Sequence, residues 1–157
     1  WARDHYGVRQ WLFISGSMGG TANLIYGVRH PEDVAAMVAL CPATDLARYL
    51  DWLAPFADGI QREIADAITA AYGGTPAEQP ARYAAHAALR HADRLTMPLY
   101  VAHGDDDRII PVEESRRLAV ALARAPHFTY AELPGGHHDA PLFALDLARW
   151  IPEHWGA

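Results

Sequence analysis

Residues 11–24, WLFISGSMGGTANL, constrain the fold more than any other stretch of the chain. The run WLFIS at 11–15 is apolar on both of its alternating faces, so a strand made from it needs cover on both sides. A central strand of a parallel sheet, with helices above and below, has that environment. The run then breaks into SGSMGG and restarts at 21–30 as TANLIYGVRH, with Leu24, Tyr26 and Val28 on a helical pattern that Pro31 stops. A strand that passes through a few small residues into a helix is the first half of a strand-helix-strand unit.

The same alternation recurs downstream. AAMVALC at 35–41, PLYVAHG at 98–104 and FTYAELPG at 128–135 read as the second, third and fourth strands. VEESRRLAVALARA at 112–125 and PLFALDLARWIPEHW at 141–155 read as helices. The pattern predicts an α/β fold, a mostly parallel sheet with flanking helices. At 157 residues the chain fits one domain that buries roughly 70% of its unfolded surface.

The stretch 45–95 breaks the rhythm with three helical pieces, LARYLDWLAPF, GIQREIADAITAAYGG and PARYAAHAALRHADRL. A crossover this long is expected to carry a helical, cap-like insertion over the sheet's C-terminal edge, with ordinary scaffold helices as the alternative. Tyr49, Trp52, Leu53 and Phe56 would then either line an apolar substrate site or pack the cap against the sheet. If WLFIS lay at a sheet edge, its apolar side chains and unpaired backbone would face water. Strands preceding residue 1 are therefore expected beside it, the chain being part of a longer domain. Association through an exposed sheet edge is the alternative.

Charge and composition narrow the function. A net charge of −6 and an isoelectric point near 5.8 argue against nucleic acid or an anionic membrane as partner. The longest apolar run, VAAMVALC at 34–41, is far short of a membrane span, and WARDHYGVRQ at the start has no signal-peptide pattern. A cytoplasmic setting is favoured on that reading. The single cysteine, Cys41, excludes an intrachain disulfide and reads as small apolar filler. No GxGxxG or GxxxxGK[ST] pattern marks a nucleotide site, and no HExxH or EF-hand spacing marks a metal, so no cofactor is expected.

Chemistry is carried by three short segments. Strand, small-x-Ser-x-Gly, helix describes a nucleophile elbow, a turn so tight that the positions two before and two after the nucleophile must be small. Ser15 and Gly19 meet that requirement around Ser17, whereas centring the motif on Ser15 puts Phe13 at a small position. The following helix would point its N-terminus at the site, with the backbone N–H of Met18 placed to donate to an oxyanion. A serine needs a base and an acid downstream, in the order Ser, Asp or Glu, His. AHGDDDRIIP supplies three carboxylates after the third strand, and LPGGHHDA supplies two histidines after the fourth. Both follow the carboxyl ends of strands, where open α/β sheets bind ligands.

These segments resemble the C-terminal half of an α/β-hydrolase, and within that superfamily the prolyl oligopeptidase-like branch of peptidases and esterases. Ser17 falls on the nucleophile of the branch's GxSxGG motif, with Ser15 in place of the first Gly. RLTMPLYVAHGDDDRIIPVEES is similar to the PxLxxHGxxDxxVP segment, whose acid lands on Asp107; Asp105, Asp106 and Asp45 are the alternatives. PGGHH resembles the GH of the last loop and selects His137, with His138 as its competitor. His103 is expected to order the strand end. The resemblance implies a serine hydrolase that cleaves a carboxylic ester, or an amide or peptide bond, through a Ser17, His137, Asp107 triad and an acyl-enzyme. Its partner would be a small-molecule ester or peptide substrate. The branch's second oxyanion donor comes from a loop after an earlier strand, so the chain by itself is expected to be a weak enzyme, or a non-catalytic fragment completed by another polypeptide.

Overall fold

The apolar runs pair in the order in which they occur. In the computed structural model, which describes residues 1–143 and 146–154, β1 (Trp11–Gly16), β2 (Val34–Leu40), β3 (Leu99–Gly104) and β4 (Phe128–Leu133) form one parallel sheet in the order β1-β2-β3-β4. Their register sets Phe13 beside Met37, Met37 beside Leu99 and Leu99 beside Phe128. The helices are α1 (Ala2–Tyr6), α2 (Met18–Arg29), α3 (Leu46–Leu53), α4 (Gly59–Tyr72), α5 (Pro80–His86), α6 (Glu113–Ala121) and α7 (Asp146–His154).

Alternation along the strands divides the core into two layers. Met37, Ala39, Leu99 and Val101 face Leu24 and Val28 of α2 and Leu118 of α6. Val38, Leu40, Tyr100 and Ala102 face Trp150, Leu147 and Ile151 of α7. Burying each large apolar side chain contributes about 1.5–3 kcal/mol, so both faces of the sheet need their helices. Among the described residues β1 and β4 are the edges, and Ile14 on β1 is half-exposed.

Boundaries differ from the sequence reading where backbone geometry intervenes. α2 starts at Met18, three residues before the periodicity announces it, because the turn uses one residue. β2 ends at Leu40, and Cys41 turns out of the sheet at φ +41°. β4 ends at Leu133, and the chain turns at Pro134-Gly135, where φ is +68°. Residues 144, 145 and 155 of the expected closing helix lie outside the described residues.

Between β2 and β3, the chain first builds a small cluster in which Tyr49 and Leu53 of α3 are buried with Ala43 and Ile110, against Leu50, Trp52, Ile64 and Ile68. Tyr49 and Leu53 therefore pack α3 against the loop after β3. Ala88, Ala92 and Leu95 then return to the α2 side of the core. Among the described residues no helix is long and apolar enough to cross a membrane.

Candidate active site

β1 ends at Gly16 and α2 begins at Met18, so Ser17 makes the turn alone, at φ +56° and ψ −129°. A non-glycine residue held there costs about 1–3 kcal/mol, which the surroundings must offset. The Ser17 N–H donates to the Leu40 carbonyl (2.8 Å), and the Ser17 carbonyl accepts from the Thr21 N–H (3.0 Å). Thr21 is held in turn, its hydroxyl oxygen accepting from the Ala43 N–H at 2.9 Å. A Cβ on Gly19 would stand 2.9 Å from the Ser15 Cβ, which explains why both flanking positions are small. Ser15 accepts from Asn23 Nδ2 at 2.6 Å, so its hydroxyl fastens α2 to β1. Met18 is the first residue of α2, where backbone N–H groups have no partner within the helix and the dipole favours negative charge.

The three aspartates after β3 have three separate tasks. Asp105 Oδ1 accepts from the Gly135 N–H (2.6 Å) and ties the acid loop to the histidine loop. Asp106 is at the rim, between Arg108 (3.4 Å) and His137 (3.3 Å). Asp107 is buried: its Oδ1 accepts from the backbone N–H groups of Ile109 (2.8 Å) and Ile110 (3.0 Å), and its Oδ2 faces His103 Nε2 (3.1 Å) and His138 Nδ1 (2.6 Å). Asp45, after β2, instead caps α3 through the Ala47 and Arg48 N–H groups and pairs with Arg90.

The histidine beside Ser17 is His138, not His137. His138 Nε2 lies 2.9 Å from Ser17 Oγ, while its Nδ1 faces Asp107. His137 is exposed and turned to the rim, its Nδ1 3.2 Å from the Asp106 carbonyl. The cause is a close approach of backbones: a Cβ on Gly104 would stand 2.1 Å from the Gly136 carbonyl oxygen and 2.7 Å from that of His137. The Asp106 N–H also donates to Gly136 O (3.0 Å). With residues 136 and 137 pressed against the end of β3, residue 138 is the one that turns inward. Cys41 Sγ donates to the His138 carbonyl at 3.1 Å, a role beyond filling space.

Ser17, His138 and Asp107 thus form one hydrogen-bonded row across the carboxyl ends of β1, β3 and β4. The Asp107 hydrogen bond, reinforced by Cys41 and opposed by burial, pushes the His138 imidazole up to about 10. Burial disfavours the Asp107 charge, but the hydrogen bonds from His103, His138, Ile109 and Ile110 outweigh it and hold the carboxyl well below the usual carboxylate range. A groove of about 440 Å³, lined by Asp106, Arg108, Ile109, His137 and His138, opens beside the row.

Among the described residues two clusters bring possible metal donors within 4.8 Å of one another. One is Cys41, Asp107 and His138, whose carboxylate oxygens already take two backbone N–H groups and two imidazoles. The other is the exposed His30 and Glu32 with the partly buried Asp33, which is taken by Tyr26 and Arg3. Sequence reasoning placed His103 at the strand end but had no signal for Ser115, which meets it from α6, because a lone serine in an amphipathic helix carries no pattern.

A serine at a strained strand-to-helix turn, with an acid after β3 and a histidine after β4, has the architecture of the α/β-hydrolases. The family described as the prolyl oligopeptidase family matches residues 5–141, and the chain belongs to it. A monoacylglycerol lipase of Mycolicibacterium smegmatis is 31% identical over 98% of this chain, and the match covers 65% of the lipase. The chain thus spans less than two thirds of that relative's length. Among solved structures, a Mycobacterium tuberculosis puromycin-hydrolyzing peptidase matches 99% of this chain and 24% of its own at a TM-score of 0.77 and 21% identity. A Paleococcus ferrophilus monoacylglycerol lipase matches 96% of this chain and 71% of its own, with a TM-score of 0.65 and 18% identity. These two likenesses bear on the fold.

Proposed function

We propose that this chain carries the acyl-transfer site of a serine hydrolase that cleaves a carboxylic ester. The observation that carries the reading is the row itself, 2.9 Å from Ser17 to His138 and 2.6 Å from His138 to Asp107, with Ser17 on a strained turn at the N-terminus of α2. Ser17 Oγ attacks the substrate carbonyl carbon while His138 Nε2 takes its proton. Asp107 keeps the proton of the other nitrogen, Nδ1, in place and steadies the imidazolium. The tetrahedral oxyanion accepts from the Met18 N–H, a contact of the kind worth about 10²- to 10³-fold in rate. When the intermediate collapses, His138 returns the proton to the leaving alcohol. Water, activated by the same imidazole, then attacks the acyl-enzyme and releases the acid.

The ester preference draws support from the 31% identical relative named as a monoacylglycerol lipase. A peptide or amide substrate is the second reading, favoured by the family match over residues 5–141. The same triad serves both, so the groove beside His138 and the α3–α4 region decide between them. The test is a fluorophosphonate probe followed by a substrate panel. Labelling of the purified chain that disappears in Ser17→Ala is expected, as is faster turnover of p-nitrophenyl esters than of aminoacyl or prolyl amides. Labelling that persists in Ser17→Ala overturns the nucleophile, and faster amide turnover reverses the substrate class. An unlabelled wild-type chain points to a segment completed by further polypeptide.

A further inference from the structure

Behind Asp107 the hydrogen-bonded row continues inward, past anything that acyl transfer itself requires. His103, next to last in β3, is fully buried. Its Nε2 is 3.1 Å from Asp107 Oδ2 and 2.9 Å from the Ile110 carbonyl oxygen. Both are acceptors, so Nε2 carries the proton. Nδ1 is then the acceptor, and the fully buried Ser115 hydroxyl on α6 donates to it across 2.7 Å. The sequence from Ser115 through His103 and Asp107 to His138 and Ser17 joins α6, β3, the acid loop, the histidine loop and the elbow.

The geometry points to His103 as a positioning residue for the acyl-transfer reaction, with Ser115 fixing its tautomer so that the ring donates to the same carboxylate oxygen that holds His138. This rests on the reading of Ser17, His138 and Asp107 given above. Oδ2 is shared between two imidazole donors, and what it gives to one it withholds from the other. His103 therefore sets how firmly Asp107 grips the base and keeps the buried carboxylate ionised and aimed. A purely structural histidine could be replaced without moving the His138 signal or the acid limb.

The ionisable groups around the row come from several elements. His138 and Cys41 lie on the Ser17 side. Glu132 of β4 stands opposite His103 in the sheet register and is held by Arg116 and Tyr130. Glu114 of α6 accepts from the Thr44 and Asp45 N–H groups, and the Tyr49 hydroxyl donates to the Ile109 carbonyl.

The experiment compares His103→Leu, which removes the donor, with His103→Gln, whose amide N–H reaches toward the place of Nε2–H. In histidine-labelled protein, nitrogen NMR of the wild type should show His103 protonated at Nε2 alone, and proton NMR a low-field His138 Nδ1–H. In His103→Leu, Oδ2 acts on His138 alone, so that proton moves further downfield. The fluorophosphonate labelling rate falls about 100-fold, the scale of a misplaced catalytic group. Its acid limb moves to higher pH, and His103→Gln restores both. An unmoved His138 signal and acid limb in His103→Leu overturn the proposal, as does a His103→Gln variant as impaired as His103→Leu. If His103→Leu does not fold, Ser115→Ala carries the test: a mixed His103 tautomer and a partial His138 shift are expected, and an unchanged spectrum refutes it. The NMR readout needs no turnover, so a wild type that fails to label, the mark of a segment completed by further polypeptide, bears on the acyl-transfer reading, while the His138 shift still decides this proposal.

Discussion

Gly104→Ala should disable the site from a position that touches no substrate. The added Cβ would stand 2.1 Å from the Gly136 carbonyl oxygen, where an ordinary contact starts at 3.4 Å, so the histidine loop must retreat by about 1.3 Å. Backbone on both sides leaves no flexible side chain to yield. A retreat of about 1 Å stretches the 2.9 Å Ser17–His138 contact beyond hydrogen-bond reach. Misplacement on that scale costs about 100-fold in rate. The same movement strains the Asp106-to-Gly136 and Gly135-to-Asp105 hydrogen bonds, each worth about 1 kcal/mol. With overpacking included, the loss is about 1–3 kcal/mol, and each kcal/mol lowers the melting temperature by about 2–4 °C. The assay is the pseudo-first-order rate of fluorophosphonate labelling, measured beside thermal unfolding on the same sample. Slowed labelling with a modest melting shift is the expected pair. Labelling at the wild-type rate would refute the claim that the two backbones set the position of His138.

The remaining predictions follow from the same geometry. His138→Gln should lower the labelling rate by about 1000-fold or more, while His137→Gln stays within about twofold, because His137 faces the rim; the reverse order of effects would restore His137 as the base. A protonated His138 cannot accept the Ser17 proton, and its pKa is raised above 6.5, so the acid limb of the labelling rate should have its midpoint above pH 6.5; a midpoint below that value counts against the Asp107 hydrogen bond. Linkage gives the matching stability profile. The raised His138 contributes stability that is full below pH 6.5 and lost as pH rises through its folded pKa, and the lowered Asp107 contributes stability that is full above about pH 4 and lost as pH falls. Melting followed across pH, with Asp107→Asn as reference, should find the pair's contribution greatest between those limits. Glu114→Ala should lower stability by about 2–4 kcal/mol in denaturant titration, since Glu114 is buried and accepts from the Thr44 N–H, the Thr44 hydroxyl and the Asp45 N–H; a loss under 0.5 kcal/mol would show that those donors find other partners.

Much of this architecture was legible from the chain because a parallel sheet buried on both faces leaves an unambiguous mark. WLFIS, AAMVALC, PLYVAHG and FTYAELPG are largely apolar runs of strand length, and each became a strand to within a residue or two. The elbow was legible too, since a one-residue turn between strand and helix requires Ser15 and Gly19 to be small, and the packing of one on the other bears that out. The choice between His137 and His138 was not legible. Neighbouring side chains leave the backbone in different directions, and which one faces Ser17 is decided by the approach of Gly136 to Gly104, thirty-two residues apart in sequence. Spacing alone carries no information about such a contact. The positive φ of Cys41 and its bond to the His138 carbonyl escaped for the same reason.

The four hydrogen bonds on Asp107 come from unequal distances along the chain. Three are donated by His103, Ile109 and Ile110, all within four residues of it, and one by His138, thirty-one residues on; Ser17 and His138 are separated by 121. Short loops close sooner than long ones. The acid is therefore set by its own turn early in refolding, and the base arrives at a carboxylate already in place, with the nucleophile joined last. Pulsed hydrogen exchange should find the Ile109 and Ile110 amides protected before the Asp106 amide, which bonds to Gly136 of the histidine loop, so that the competent site appears only when that loop docks.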